Sequence, residues 1–168
     1  MIYSREDLLK FLDYNNIKFN EYSHKPLYTV EDSKKMRGKI DGAHTKNLFL
    51  KDKKGNFFLL TCIENKNIDL KKIKIFFNVK NLSFGSEIYL DQLLKLKPGA
   101  VSPMGLINDT KKEIKFYLDN DILKEKTVNF HPLVNIFTLN LKVEDFLNFL
   151  KLINVRLHLI DLKVYKLT

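Results

Sequence analysis

The sequence predicts a single domain of mixed α+β architecture. Apolar residues occur at helical spacing in some segments and at strand spacing in others, without the regular strand–helix alternation of a doubly wound sheet. The 168 residues, 45% of them hydrophobic, are enough for one core, and no linker or internal repeat divides them. We therefore expect residues 1–168 to form one compact domain.

Local signals in the first part of the chain predict two helices, a strand between them and a β-hairpin. Ser4 with Asp7 three residues later is typical of a capping box at a helix start. The turn 52–55 carries a glycine between two apolar runs, as a hairpin requires. The expected elements are a helix over 5–15, a strand over 17–24, a helix over 29–37 that ends before Gly38, and hairpin strands over 47–51 and 56–62.

The second part of the chain predicts further helices and strands around one long loop. Asp69 and Ser86 are typical N-caps, and Pro98-Gly99 ends the helix that Ser86 begins. The loop over 99–109 is marked by glycine and proline. The expected elements are helices over 69–77, 86–94, 121–124 and 143–151, and strands over 82–84, 114–118, 128–130, 136–141 and 155–160.

Composition excludes several classes of protein. No apolar run approaches the roughly 18 residues of a membrane span, and the charged N-terminus lacks the apolar segment of a signal peptide, so we expect a cytoplasmic protein. Cys62 lies in a hydrophobic strand run, which favours a buried core residue over a nucleophile. The four histidines have no acidic or cysteine partner at ligand spacing, so no metal or cofactor is expected.

The net charge of +9, from 29 Lys+Arg against 20 Asp+Glu, favours a polyanionic partner such as nucleic acid. Only three of these basic residues are arginine, and lysine is abundant everywhere in the chain. A general bias of the coding sequence towards lysine therefore accounts for the charge as well. The charge alone does not separate the two interpretations.

Three polar segments at the ends of apolar strands are the candidate site. In the first, 42–47, Lys46 and Asn47 could hold a phosphate and a ribose or carbonyl group, or Lys46 could be a solvated residue that begins an edge strand. The second, 99–109, has glycines that let backbone N–H groups approach a ligand closely. In the third, His131-Pro132, the histidine is either a structural residue or part of a site.

These segments together resemble the YbaK-type editing-domain family of prolyl-tRNA synthetase, and within it the freestanding alanyl-tRNA(Pro) deacylases. The order and the spacing of the matching segments agree with the family as well as the residues themselves do. The segments that carry the resemblance are 42–50, 82–84, 98–103, 105–109 and 131–135.

The resemblance implies a curled, barrel-like mixed sheet around a pocket, flanked by helices, and a hydrolase that removes mischarged alanine from tRNA(Pro). It implies catalytic roles for Lys46, which would hold the acceptor end, for Gly99, whose loop would face the ester, and for His131, which would orient the aminoacyl group. Partners would be the acceptor end of tRNA(Pro) carrying a small amino acid and, in addition, prolyl-tRNA synthetase. The implied substrate-binding residues are His44, Asn47, Ala100, Val101, Ser102, Pro103, Met104, Gly105 and Asn108.

The chemistry of such a site needs no covalent nucleophile, because an aminoacyl ester is already activated towards water. Positioning and polarisation by N–H groups of Gly99 to Ser102 would suffice, with His131 acting either as a base or by position. Two alternatives stay open: deacylation of cysteinyl-tRNA(Pro), and a non-catalytic module that binds tRNA in the same pocket. Met104 and Gly85 replace the aromatic residue and the alanine usual in the family, so the preferred amino acid is open too.

Overall fold

The computed structural model describes residues 2–26 and 40–167. Within these ranges the strands are β1 (Phe19–Ser23), β2 (Ala43–Lys51), β3 (Phe57–Ile63), β4 (Ser83–Phe84), β5 (Ile114–Asp119), β6 (Thr127–Phe130), β7 (Phe137–Lys142), β8 (Leu157–Asp161) and β9 (Lys166–Leu167). The helices are α1 (Arg5–Tyr14), α2 (Leu70–Phe76), α3 (Glu87–Leu94) and α4 (Val143–Leu152), with short 3₁₀ helices at Pro103–Ile107 and Asn120–Lys124. The helix expected over 29–37 lies outside the described residues.

The strands form one mixed sheet in the order β1-β7-β6-β2-β3-β5-β8-β9, and β4 pairs with the end of β2. The pairs β2–β6, β3–β5 and β5–β8 are parallel and the others are antiparallel. This confirms the predicted α+β class. In the described part of the chain β1 and β9 each pair on one side only, so hydrogen bonds do not close the sheet into a barrel.

Helices cover both faces of the sheet, because each face is apolar. One core contains buried side chains of α1, α3 and α4, such as Leu12, Leu94 and Phe146. The other core is smaller, and in it Ile73 of α2 packs with β3 residues. Cys62 belongs to this second core and is fully buried, as predicted, and burial raises the pKa of its thiol to about 12.

The local signals in the sequence give most element boundaries, and tertiary pairing changes a few of them. The Ser4–Asp7 capping box is present in both directions. The strand β2 starts at Ala43 rather than at residue 47, because β6 pairs with its first two residues. The two-residue strand β9 has no signal in the sequence that we recognised.

Among the described residues, no helix is both long enough and apolar enough to cross a bilayer.

Candidate active site

Lys46 and Asn47 lie in the middle of β2, which is a central strand of the sheet. Lys46 is therefore not the start of an edge strand. Successive side chains of a strand point to opposite faces, so the two residues have different surroundings. Lys46 stands opposite Cys62 of β3, and Asn47 stands opposite Thr61. The sequence placed both residues in one group, and the strand separates their side chains.

Asn47 connects the centre of the sheet to the loop of the second polar segment. Its Nδ2 donates to the Val101 carbonyl at 3.0 Å, and its Oδ1 accepts from the Thr61 hydroxyl at 2.6 Å. Thr61 is fully buried, so its hydroxyl has a fixed position. The Asn47 amide thus holds the loop at a defined height above β2 and β3.

The loop offers backbone donors at its tip. Gly99 has φ 84°, a conformation that favours glycine, and the Ala100 N–H donates to the Lys97 carbonyl at 3.0 Å. The N–H groups of Gly99, Val101 and Ser102 have no acceptor within the ranges that the structure describes. The Ser102 hydroxyl accepts from the Met104 N–H at 3.2 Å and begins the 3₁₀ helix. Donors of this kind can bind a developing negative charge.

The remaining predicted residues of the loop support it from behind. Pro103, Met104 and Gly105 are buried, and a Cβ on Gly105 would lie 2.7 Å from Leu96. The Asn108 side chain accepts from the Tyr3 N–H at 2.7 Å and donates to the carbonyls of Tyr3 and of Leu94, at the end of α3. These contacts fix the loop against α3 and the N-terminal segment.

His131 directly follows β6 and offers one free ring nitrogen. Its Nδ1 lies 2.8 Å from the Phe137 carbonyl, which can only accept, so Nδ1 carries the proton in the neutral ring. Burial lowers the pKa of His131, the nearby His24 acts in the same direction, and the bond to Phe137 opposes them. At neutral pH the ring is therefore neutral, and Nε2 has a lone pair without a partner among the described residues.

His24 is a neighbour of His131 that the sequence reasoning missed. The two rings lie 5.8 Å apart between centroids. Pairing of β1 with β7 carries His24 there, and its Nε2 lies 2.9 Å from the Thr138 hydroxyl. Nothing in the local sequence links the two histidines, because only the pairing of distant strands brings them together. The end of the predicted strand 17–24 was the one available signal.

A gap in the sheet lies beside the centre of β2. On this side β6 pairs only with Ala43 and His44, while β4 pairs only with Leu50 and Lys51. No described strand pairs here with Lys46–Leu48. Extending the parallel register by two residues brings Lys46 level with His131, on the same face of the sheet. The gap therefore has Lys46 and His131 at one face and the Asn47-anchored loop at the other.

Two of the predicted residues hold the rim of this gap. His44 Nε2 lies 3.0 Å from the Ile40 carbonyl, and the Lys46 ammonium donates to the carbonyl of Lys66. Asn129 of β6 donates to the carbonyls of Asp41 and Ala43 and so attaches the beginning of β2.

Two adjoining clefts of about 630 and 520 Å³ lie elsewhere, around the β2–β3 hairpin and α2, and share Asp52, Lys53, Lys80 and Asn81. Their lining is strongly basic. The lysines are Lys51, Lys53, Lys54, Lys71, Lys74, Lys80 and Lys115. Some of the lysine excess is thus concentrated on one surface.

Residues 24–149 match the family described as the aminoacyl-tRNA editing domain. The chain belongs to this family. The match spans the candidate site, from His24 through Lys46 and the loop to His131. The resemblance inferred from the five sequence segments is thereby confirmed.

Relatives of this editing domain have similar lengths. The chain is 34% identical over 143 residues to the prolyl-tRNA editing protein ProX of Acetoanaerobium sticklandii, covering 84% of this chain and 87% of the relative. It is 35% identical over 140 residues to the prolyl-tRNA synthetase associated domain-containing protein 1 of Mus musculus, covering 80% and 82%. The crystal structure of a candidate trans-editing enzyme for prolyl-tRNA synthetase has the same fold, with TM-score 0.69 at 18% identity, covering 96% of this chain and 98% of that one.

Proposed function

We propose that this editing domain is a freestanding deacylase that hydrolyses alanyl-tRNA(Pro), and that residues 1–168 act as one unit. The names of its relatives support a role in correcting the products of prolyl-tRNA synthetase. The observation that carries the proposal is the gap beside β2. A cation, an unpaired imidazole nitrogen and unpaired N–H groups border one opening, which suits an ester attached to a phosphodiester chain.

In this mechanism Lys46 binds a phosphate of the acceptor end and so fixes the terminal adenosine. The N–H groups of Val101 and Ser102, with that of Gly99, donate to the ester carbonyl as it becomes an oxyanion. Water attacks the carbonyl carbon, the bond between this carbon and the ribose oxygen breaks, and a proton passes to that oxygen. Free alanine and intact tRNA leave. Removing one oxyanion donor from such a site typically lowers kcat by about 10²–10³.

His131 contributes an acceptor. Its Nε2 lone pair accepts a hydrogen bond from the attacking water, as a general base, or from the α-ammonium of the amino acid, as a positioning group. Both roles need the neutral ring. They differ in the effect of a substitution, because loss of a base lowers kcat while loss of a positioning contact to the substrate also raises KM.

Selectivity in this mechanism comes from excluding proline by size. A small pocket rejects a larger amino acid more strongly than it can favour a smaller one. Gly85 packs so closely on the Phe49 ring that a Cβ would lie 2.4 Å from two ring carbons, so the glycine at this position fits a closer approach of β4 to β2.

The deciding experiment is a deacylation panel with purified protein. Esters of tRNA(Pro) with alanine, cysteine, serine and proline are incubated with wild type, with Lys46→Ala and with Lys10→Ala, a control at an exposed residue of α1. We expect fast loss of the alanyl ester, an intact prolyl ester, and loss of activity only in Lys46→Ala. Faster loss of the cysteinyl ester would identify a cysteinyl-tRNA(Pro) deacylase instead. Salt-dependent binding without ester loss would identify a binding module.

Prolyl-tRNA synthetase is the proposed protein partner, because its name occurs in that of the mouse relative. Sedimentation of the two purified proteins, with and without tRNA(Pro), tests this association. Separate sedimentation under both conditions would contradict it.

A further inference from the structure

Lys66 lies in the turn that follows β3 and makes contacts at both of its ends. Its backbone carbonyl accepts a hydrogen bond from the ammonium of Lys46. Its own ammonium lies 2.7 Å from Asp119 Oδ1 and 2.6 Å from Asp121 Oδ2. One residue therefore connects the cation of the candidate site to a pair of carboxylates.

The carboxylate end of this connection is rigid. Asp119 is fully buried at the end of β5, and its Oδ2 also accepts from the Ile63 N–H at 3.3 Å. The Lys66 side chain is 18% exposed. Burial opposes its charge, but the hydrogen bonds and charges of Asp119 and Asp121 outweigh burial and raise the pKa of the Lys66 ammonium. The ammonium is charged at any physiological pH, so the turn stays attached to Asp119.

Lys46 needs such an anchor because its ammonium is a point charge on a flexible four-carbon stem. An ammonium has three N–H donors, and the Lys66 carbonyl takes one of them. Two donors stay available for a phosphate. A lysine already held in place loses less conformational freedom when it binds than a mobile lysine does.

We propose that Lys66 is a positioning residue that holds Lys46 ready for the phosphate of the acceptor end; this inference rests on the proposed function. Lys66 touches no substrate itself. Its side chain fixes the turn, the turn fixes the carbonyl, and the carbonyl fixes the Lys46 ammonium.

The chain offers a matched control in Lys124. Its ammonium pairs with the same Asp121 carboxylate at 2.5 Å but its side chain is 68% exposed, and none of its described contacts is with Lys46. Lys66→Met and Lys124→Met each remove one positive charge beside Asp121. Only Lys66→Met frees the turn that carries the carbonyl.

The first measurement is steady-state deacylation. We expect Lys66→Met to raise KM for the aminoacyl-tRNA about tenfold with little change in kcat, because a phosphate contact is made equally in ground state and transition state. Lys66→Arg restores the ion pair and should recover most of the loss, and Lys124→Met should match wild type. Equal KM values for Lys66→Met and Lys124→Met would overturn the inference. If Lys66→Met does not fold, Asp121→Asn, which removes one of the two carboxylate partners, takes its place with the same expected direction.

The second measurement does not depend on activity. In protein labelled with ζ-¹⁵N lysine, the order parameter of the Lys46 ammonium, assigned through Lys46→Met, should fall in Lys66→Met and stay unchanged in Lys124→Met. An unchanged Lys46 order parameter in Lys66→Met overturns the inference even if the wild type is active. An inactive wild type whose Lys46 signal behaves as expected overturns the proposed function and leaves the positioning role supported.

Discussion

Replacing Asn47 by aspartate separates the two hydrogen bonds that this side chain makes. The side chains have nearly the same size, and aspartate can still accept from the Thr61 hydroxyl. Its second oxygen, however, takes the place of the Nδ2 that donates to the Val101 carbonyl at 3.0 Å. Two acceptors then face each other without a proton, so the loop is pushed away from β2.

The expected losses follow from these contacts. Leaving a buried acceptor unsatisfied costs about 1–3 kcal/mol, and a protein of this size loses about 2–4 °C in Tm per kcal/mol. We therefore expect Asn47→Asp to lower Tm by about 2–12 °C. Movement of Val101 displaces the adjacent N–H donors, so kcat should fall by about 10²-fold or more, as after removal of an oxyanion donor.

Thr61→Val is the control for this prediction, because it removes only the other hydrogen bond of the Asn47 amide. It should lower Tm by a similar amount while kcat stays within a few-fold of wild type. Thermal unfolding gives the stability of each variant, and deacylation is measured well below both transitions. If Thr61→Val loses as much kcat as Asn47→Asp, the Asn47–Val101 bond does not position the loop for catalysis.

Three further predictions concern packing, pH and charge. Gly85→Ala forces a Cβ to within 2.4 Å of the Phe49 ring, so the free energy of unfolding should fall by about 1–3 kcal/mol in a denaturant titration; unchanged stability would show that the ring moves freely. Because burial lowers the pKa of His131 and protonation fills the Nε2 lone pair, kcat/KM should be constant at neutral pH and fall below about pH 6.5; the same fall in His131→Gln would exclude His131 as its cause. Neutralising three cleft lysines should reduce the salt dependence of tRNA affinity by up to about 0.9 per lost phosphate contact, measured by filter binding against a triple control on other surfaces; equal slopes would remove this surface from tRNA binding. The three cleft residues are Lys53, Lys74 and Lys80.

Local signals in the sequence were sufficient for the elements that depend on neighbouring residues. The capping box at Ser4, the hairpin turn at 52–55 and the buried Cys62 are examples, because caps, turns and apolar runs are decided within a few residues. The class of fold followed from the order of these elements.

The arrangement of the candidate site depends on contacts between distant residues, which no local pattern shows. Lys46 and Asn47 are neighbours in sequence, but strand alternation turns them to opposite faces. His24 reaches His131 only through the pairing of β1 with β7. The Lys66 contact with Lys46 was missed for the same reason, since a backbone carbonyl leaves no mark on the residue type.

The gap beside β2 also has a mechanical consequence. In the described residues only the first two positions of β2 join the β1-β7-β6 half of the sheet to the half that continues through β3. Lys46 and the loop belong to one half, whereas His131 belongs to the other. An acceptor end bound by both would act as a strut across this narrow joint, so substrate should slow amide hydrogen exchange at Ala43 and His44, residues that it need not touch.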